Sequence, residues 1–168
     1  MSKDVLVIRE IKSEETAFLK EALYGAIYVP AGKEPLPKEI IELPQLNRYI
    51  SGFGREDDFC LVAEQDGLVI GAIWIRVFPE ADKGYGYVDE STPELSMSVL
   101  EEYRNKEIGT QLLNAMIANI EKMPWQQVSL SVDKENYAFG LYKKHGFVVY
   151  SETHDSVTMV RKTVKDAC

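Results

Sequence analysis

Cysteine and histidine are scarce, at two each among 168 residues. Cys60 and Cys168 supply neither a disulfide framework nor the spacing of a metal site, so no metal is expected. Cys60, in Phe59-Cys60-Leu61-Val62, reads as a small core residue. Cys168 is the last residue, and nothing follows it to make a prenylation signal. Positive charge is also in deficit, with 19 Lys and Arg against 27 Asp and Glu and a net charge of −8. A nucleic-acid surface would be basic, so nucleic acid is not an expected partner. An acidic surface does not repel a cationic amine. No apolar run approaches the roughly 18–20 residues that cross a bilayer, so no membrane partner is expected. The polar start, Met1-Ser2-Lys3-Asp4, runs straight into Val5-Leu6-Val7-Ile8 without the apolar region and cleavage site of a secretory signal. A cytoplasmic setting is therefore expected. Repeats, low-complexity tracts and linkers are missing too, so residues 1–168 are expected to form one domain.

What is present is an alternation of short β-rich runs and amphipathic helices. Val5 to Ile11 reads as a strand. Ser13 is positioned to cap a helix carrying Phe18, Leu19, Ala22, Leu23 and Ile27 at helical spacing. A second helix is expected from Pro37 to about Ile50, kinked or split at Pro44. Asp58 to Gln65 and Leu68 to Phe78 are strands joined by Asp66-Gly67, a strong hairpin signal. Glu94 to Leu100 is a fourth strand, with Leu95, Met97 and Val99 on one face and Glu94, Ser96 and Ser98 on the other. Ile108, Leu112, Leu113, Met116, Ile117 and Ile120 form a helical stripe ended by Pro124. Val128 to Val132 is a fifth strand. Asn136 to His145 is a helix stopped by Gly146, and two closing strands follow. The pattern predicts an α/β fold, a sheet with helices on its faces.

The most informative stretch joins the fourth strand to the long helix. Arg104, Asn105 and Lys106 lead into Glu107, Ile108, Gly109 and Thr110. Free amides at a helix start, the helix dipole and nearby cations suit a pyrophosphate. Gly109 permits close approach. The bland alternative is a solvated basic turn before a core helix. The stretch is not a P-loop, and its single glycine is not a dinucleotide fingerprint.

A second segment, Asn136-Tyr137-Ala138-Phe139-Gly140-Leu141-Tyr142-Lys143-Lys144-His145-Gly146-Phe147, narrows the choice. With the stretch Arg104 to Gly109, it resembles the GNAT superfamily of acetyl-CoA-dependent N-acetyltransferases. That resemblance covers residues 58–152 in motif detail. It implies a mixed, mostly antiparallel central sheet with helices on both faces, and acetyl-CoA as acyl donor. It further implies that the backbone of Met97, Ser98 and Val99 receives the pantetheine arm. The pyrophosphate then falls to Arg104 through Thr110, and Asn136 bonds the cofactor while capping its helix. Glu107 departs from the family pattern, which has glycine there. A non-glycine residue is expected to hold ordinary φ/ψ values at this position. Its carboxylate is expected to weaken acetyl-CoA binding somewhat.

By the same resemblance, Tyr142 protonates the leaving thiolate. A phenol with a pKa near 10 suits that task, although a packed core tyrosine is the plain alternative. Glu94 is the candidate base if burial raises its pKa; otherwise it is an exposed strand-end charge. Asp89 and Glu90 are weaker candidates. His145 and His154 are expected to have no catalytic role. The acceptor side is expected to draw on Tyr28, Trp74, Arg76 and Tyr87, with Tyr24, Phe53 and Tyr85 nearby. Arg76 is positioned to grip a substrate carboxylate, or else pairs with an acid of the loop 80–90. The expected function is acetyl transfer to a primary amine of a small molecule or peptide by direct attack in a ternary complex. The alternatives are a non-catalytic acyl-CoA-binding module and a transferase of a longer acyl group. Exposed edge strands suit a homodimer.

Overall fold

The computed structural model describes residues 5–104 and 106–164. Met1 to Asp4, Asn105 and Cys168 lie outside the described residues. The strands are β1 (Leu6–Glu10), β2 (Phe59–Gln65), β3 (Leu68–Arg76), β4 (Glu94–Val99), β5 (Gln127–Asp133), β6 (Val148–Glu152) and β7 (Ser156–Lys162). They form one seven-stranded sheet in the order β1-β2-β3-β4-β5-β7-β6. Every pairing is antiparallel except β4 with β5. The helices are α1 (Phe18–Ala26), α2 (Pro44–Asn47), α3 (Ile108–Glu121) and α4 (Ala138–Lys144).

Local chemistry explains most boundaries. Asp66 at φ 53° and Gly67 at φ 82° both sit in left-handed space, as a two-residue type I′ hairpin requires. Pro44 lacks an amide hydrogen and cannot continue a helix from before it. Of the two expected outcomes the segment takes the split, into a 3₁₀ turn at Lys38–Glu42 and α2, with Leu43 extended between them. Gly146, at φ 90°, follows α4 as the left-handed stop. The expected Ser13 cap is corrected. Residues Ser13–Glu15 form a separate 3₁₀ turn, and α1 begins at Phe18. Glu15 is drawn away by Arg9 of β1, at 2.7 Å, and by the Lys12 amide, at 2.9 Å.

Two apolar layers flank the sheet. The stripe of α3, from Ile108 to Ile120, packs with Ile73, Ile75, Leu95 and Leu130 on one face, where Tyr142 of α4 also lies. On the other face Leu19, Ala22 and Leu23 of α1 join Tyr49, Ile50, Trp74 and Phe78. Residues alternate faces along β4, so Leu95 looks toward α3 while Glu94 and Ser98 lie beneath α1 and the α2 region. The outer strand β6 leaves Val148, Val149 and Tyr150 exposed.

Candidate active site

One registered pair, Glu94↔Ser129, makes up the whole parallel ladder between β4 and β5 among the described residues. Beyond it the strands part. Ser129 N–H donates to Pro93 O at 3.0 Å, so odd-numbered main-chain groups of β4 point toward β5. By alternation, the amides of Met97 and Val99 face the opening. Ser98 does not: its main chain pairs with Ala72 of β3 and its side chain lies under Gly25 of α1. The expected trio thus reduces to two residues facing the gap.

The start of α3 lies beside that opening. Gln111 N–H already bonds Glu107 O at 3.1 Å. The amides of Ile108, Gly109 and Thr110 are the helix's open first-turn donors. Met97 Cε comes within 3.6 Å of where a Gly109 Cβ would sit, so turn and strand meet here. Glu107 is the N-cap at φ 62° and ψ 14°. This overturns the expectation of ordinary backbone angles. The turn demands left-handed geometry, and the glutamate adopts it at a cost of about 1–2 kcal/mol. Arg104 spends its Nε on Val99 O at 2.9 Å and one terminal nitrogen on Gly25 O at 3.3 Å. It ties the end of β4 to α1. Lys106 Nζ lies 5.7 Å from the centre of the Tyr103 ring.

Asn136 Oδ1 accepts the Ala138 amide at 2.9 Å, a turn leading into α4, whose N-cap is Tyr137. Tyr142, four residues on from that amide, is buried with its ring edge-on to Phe147. Burial pushes this phenol well above its ordinary pKa, so it stays protonated.

Glu94 is 3% exposed rather than a surface charge. Tyr49 donates its hydroxyl to Glu94 Oε2 and accepts the Tyr85 amide at 2.6 Å. Oε1 is buried with no partner. Desolvation pushes the carboxyl up to about 7, while the Tyr49 hydrogen bond, the Gly86 amide and the charge of Arg48 pull it partly back. A Cβ on Gly84 would stand 2.3 Å from Oε1, so only glycine allows this loop to close over the carboxylate. Asp89 and Glu90 are engaged elsewhere, with Thr92 Oγ1 and the Glu80 amide.

The acceptor-side expectations divide. Arg76 is corrected: it is 1% exposed, with two bonds to Asp58 at 3.0 and 2.8 Å and two more to Arg48 O and Ser51 O. Its guanidinium is spent on holding the 48–58 segment against β3, and its acid partner is not in the loop 80–90. Arg76 and neighbouring amides hold the Asp58 carboxyl below its ordinary range, against the desolvation that would raise it. Trp74 is also corrected. It is fully buried, and its Nε1 donates to Tyr49 O at 3.1 Å. Tyr28 and Tyr87 remain partly exposed. Tyr28 donates to Glu135 O at 3.3 Å, and Tyr87 lies under Lys83, 5.2 Å from its ring centre. Tyr49, Ser129 and Gly84 escaped the sequence reading. No motif marks them, because each matters only through contacts far along the chain. His145 Nδ1 lies 2.9 Å from Leu141 O within its own helix, and His154 is exposed.

Residues 56–149 match the acetyltransferase (GNAT) domain family. No curated protein matches the sequence significantly. Among solved structures, the PaiA N-acetyltransferase of Thermoplasma acidophilum in complex with coenzyme A is 24% identical, over 94% of this chain and 99% of that one, with a TM-score of 0.65. YncA of Salmonella typhimurium, a putative acetyltransferase with its cofactor acetyl-CoA, is 18% identical over 98% and 97%, with a TM-score of 0.70. The ribosomal-protein-S18-alanine N-acetyltransferase of Escherichia coli is 16% identical over 97% of each chain, with a TM-score of 0.65. At these identities the likeness is one of fold.

Proposed function

The chain belongs to the GNAT acetyltransferase family, and from that premise we propose that it moves an acetyl group from acetyl-CoA to a primary amine of a small molecule or peptide, by direct attack in a ternary complex within a single domain. The observation that carries this reading is the opening between β4 and β5, which presents the Met97 and Val99 amides beside the open first turn of α3. An extended, amide-bearing arm adds to such an edge like a strand, and a pyrophosphate fits the helix start. Met97 and Val99 would hold the arm. Ile108, Gly109, Thr110 and Lys106 would hold the phosphates, with Asn136 near the thiol end. Asn105 and Arg104 belong to the same turn. Arg104 would act chiefly by bracing it, since two of its donors are bound to backbone. Glu107 is the one residue of the turn whose charge opposes the fit.

Acetyl-CoA supplies the acetyl thioester. This chain's residues supply three things. The Val99 amide is placed to polarise the thioester carbonyl. Glu94, with a pKa near physiological pH, accepts one proton from the acceptor ammonium and leaves the amine neutral for attack. Tyr142 gives its phenolic proton to the departing thiolate. Among the described residues no free cysteine is placed for a covalent acyl-enzyme: Cys60 is buried, and burial pushes its thiol up.

The acceptor side is formed by Tyr28 and Tyr87 with the loop 80–90, whereas Arg76 and Trp74 support it from beneath. The test is coenzyme A thiol release across a panel of amines, run with acetyl-, propionyl- and succinyl-CoA. Amine-dependent release with acetyl-CoA is the expected result. Binding without release for every amine would identify a non-catalytic acyl-CoA module instead.

A further inference from the structure

Glu94 is 3% exposed, and proton transfer needs an acceptor ammonium within hydrogen-bond reach of its carboxylate. Whatever covers Glu94 therefore has to move. The cover is the loop that joins β3 to β4. A Cβ on Gly84 would stand 2.3 Å from Glu94 Oε1, and one on Gly86 would stand 2.6 Å from the Leu130 backbone. The loop thus lies directly on the carboxylate and on β5. Its outer side faces solvent: among residues 79–91 only Gly84 and Gly86 are buried.

Two consecutive residues hold the loop down. Arg48 donates to Lys83 O and pairs with Asp82 at 3.3 Å. Tyr49 accepts the Tyr85 amide at 2.6 Å, stacks on the Tyr85 ring with centroids 6.5 Å apart, and donates to Glu94 Oε2. The backbone behind both side chains is pinned to β3. Arg76 donates to Arg48 O at 2.8 Å, and Trp74 Nε1 donates to Tyr49 O at 3.1 Å. One side of the contact is therefore fixed to the sheet, while the other is a loop with little buried surface. Of the two, the loop is the part free to open. The grip of Arg48 is also modest. The Asp82 side chain is 57% exposed, and an ion pair so exposed contributes about 0–1 kcal/mol.

We propose that residues 80–90 are a lid over Glu94 and that Arg48 is the positioning residue that latches it, releasing it to admit the acceptor amine and closing it again over the amine and the base. The inference rests on the reading of Glu94 as base. With the lid raised, the acceptor ammonium reaches Glu94 Oε1 and passes it one proton, which leaves a neutral amine and a neutral carboxyl. Tyr49 keeps the other oxygen, Oε2, in place. Closure then excludes water from the pair. The charged groups around Glu94 give the latch a distinctive sign. Arg48 and Tyr49 face it from the α2 side, and the lid offers the Gly86 amide. Arg76, its paired neighbour on β3, is neutralised by Asp58. Desolvation by the closed lid is the largest influence and raises the carboxyl, whereas the Arg48 charge lowers it slightly. A mere loss of charge at Arg48 would therefore move the Glu94 midpoint up, and a loosened lid would move it down.

The test compares wild type, Arg48→Met and Arg48→Lys as free, full-length proteins. Amide hydrogen exchange across residues 83–87 is expected to speed up about tenfold in Arg48→Met, with β3 and β4 unchanged, as loss of a hydrogen bond from a charged group predicts. An infrared titration, with Glu94→Gln as the blank, is expected to show the Glu94 midpoint lowered in the same variant. The acid limb of kcat, for the amine that the thiol-release panel identifies, is expected to move down with it. Arg48→Lys keeps the charge and part of the grip, and is expected to return exchange and midpoint toward wild type. Asp82→Asn, a change on the exposed side of the loop, is expected to speed the same exchange by a smaller factor and guards against a folding defect in Arg48→Met. Unchanged exchange across 83–87 in both Arg48→Met and Asp82→Asn, or a midpoint that rises in Arg48→Met, overturns the inference. The base assignment has its own readout. If Glu94→Gln keeps wild-type kcat at every pH, that assignment fails. If Glu94→Gln abolishes turnover while exchange in Arg48→Met and Asp82→Asn stays at the wild-type rate, only the lid inference fails.

Discussion

Replacing Glu94 by glutamine is expected to make the protein more stable at pH 8 and to leave it almost unchanged at pH 4. The reason lies in burial. The carboxyl is raised from 4.5 to about 7, with desolvation as the largest cause. A group whose folded pKa lies above its unfolded value binds protons preferentially in the folded state. Its contribution is fully present below about pH 4.5 and is lost as pH rises to about 7. The shift of about 2.5 units, at about 1.36 kcal/mol each, amounts to roughly 3 kcal/mol between the ends of that window. Glutamine stays neutral, accepts the Tyr49 hydroxyl through its own oxygen and avoids the cost of burying a charge. Urea unfolding of both proteins at half-unit steps from pH 4 to 8.5 measures the difference, and other titrating groups cancel in it. The expected difference is near zero at the acid end and about 2–3 kcal/mol in favour of the variant above pH 7.5. A difference that stays flat across the window would refute the argument, because Glu94 would then be titrating as a hydrated carboxylate.

Tyr142→Phe is expected to lower kcat by about two orders of magnitude with little change in acetyl-CoA KM, as loss of a proton donor does. Steady-state kinetics checks this, and an unchanged kcat removes Tyr142 from the reaction. Glu107→Gly is expected to tighten acetyl-CoA severalfold by calorimetry, through loss of a charge beside the pyrophosphate turn. Its stability is expected to change by less than about 1 kcal/mol, because relief of left-handed strain is offset by the greater freedom of unfolded glycine and the lost favourable acid at a helix start. Equal or weaker binding would show that the Glu107 carboxylate does not oppose the phosphates. Arg76→Met is expected to cost about 3–5 kcal/mol in chemical unfolding, because it leaves the Asp58 carboxylate buried without its cation. A loss below 1 kcal/mol would contradict the buried pair.

Much of the architecture was legible because its causes are local. Asp66-Gly67 forces a tight hairpin whatever surrounds it. Pro44 breaks a helix through its missing amide hydrogen. The α3 stripe is amphipathic at one period and packs on one face. The segments Arg104–Thr110 and Asn136–Phe147 were recognisable because glycine, charge and helix start come in a set order. Other features were hidden for an equally physical reason. For Arg76, alternation along β3 says only which face it occupies, and leaves a substrate and an acid of the loop 80–90 as equal candidates for its partner. The partner that consumes it, Asp58, is 18 residues away and reaches it only across the β2–β3 pairing. Glu107 was misjudged because backbone geometry at a turn depends on both elements it joins.

By itself, the sequence determined the order of elements, the hairpin, the helix stops and the turn whose open amides suit phosphate, since each follows from interactions within a few residues. Only the tertiary structure decided that β4 and β5 touch at one pair and then part, that Glu94 is buried under Gly84 and held by Tyr49, and that Ser129 stands across from it. Those outcomes depend on strand register and on which loop covers which strand. Long-range packing sets both, and packing decides how much water a carboxylate keeps and therefore what it can do as a base.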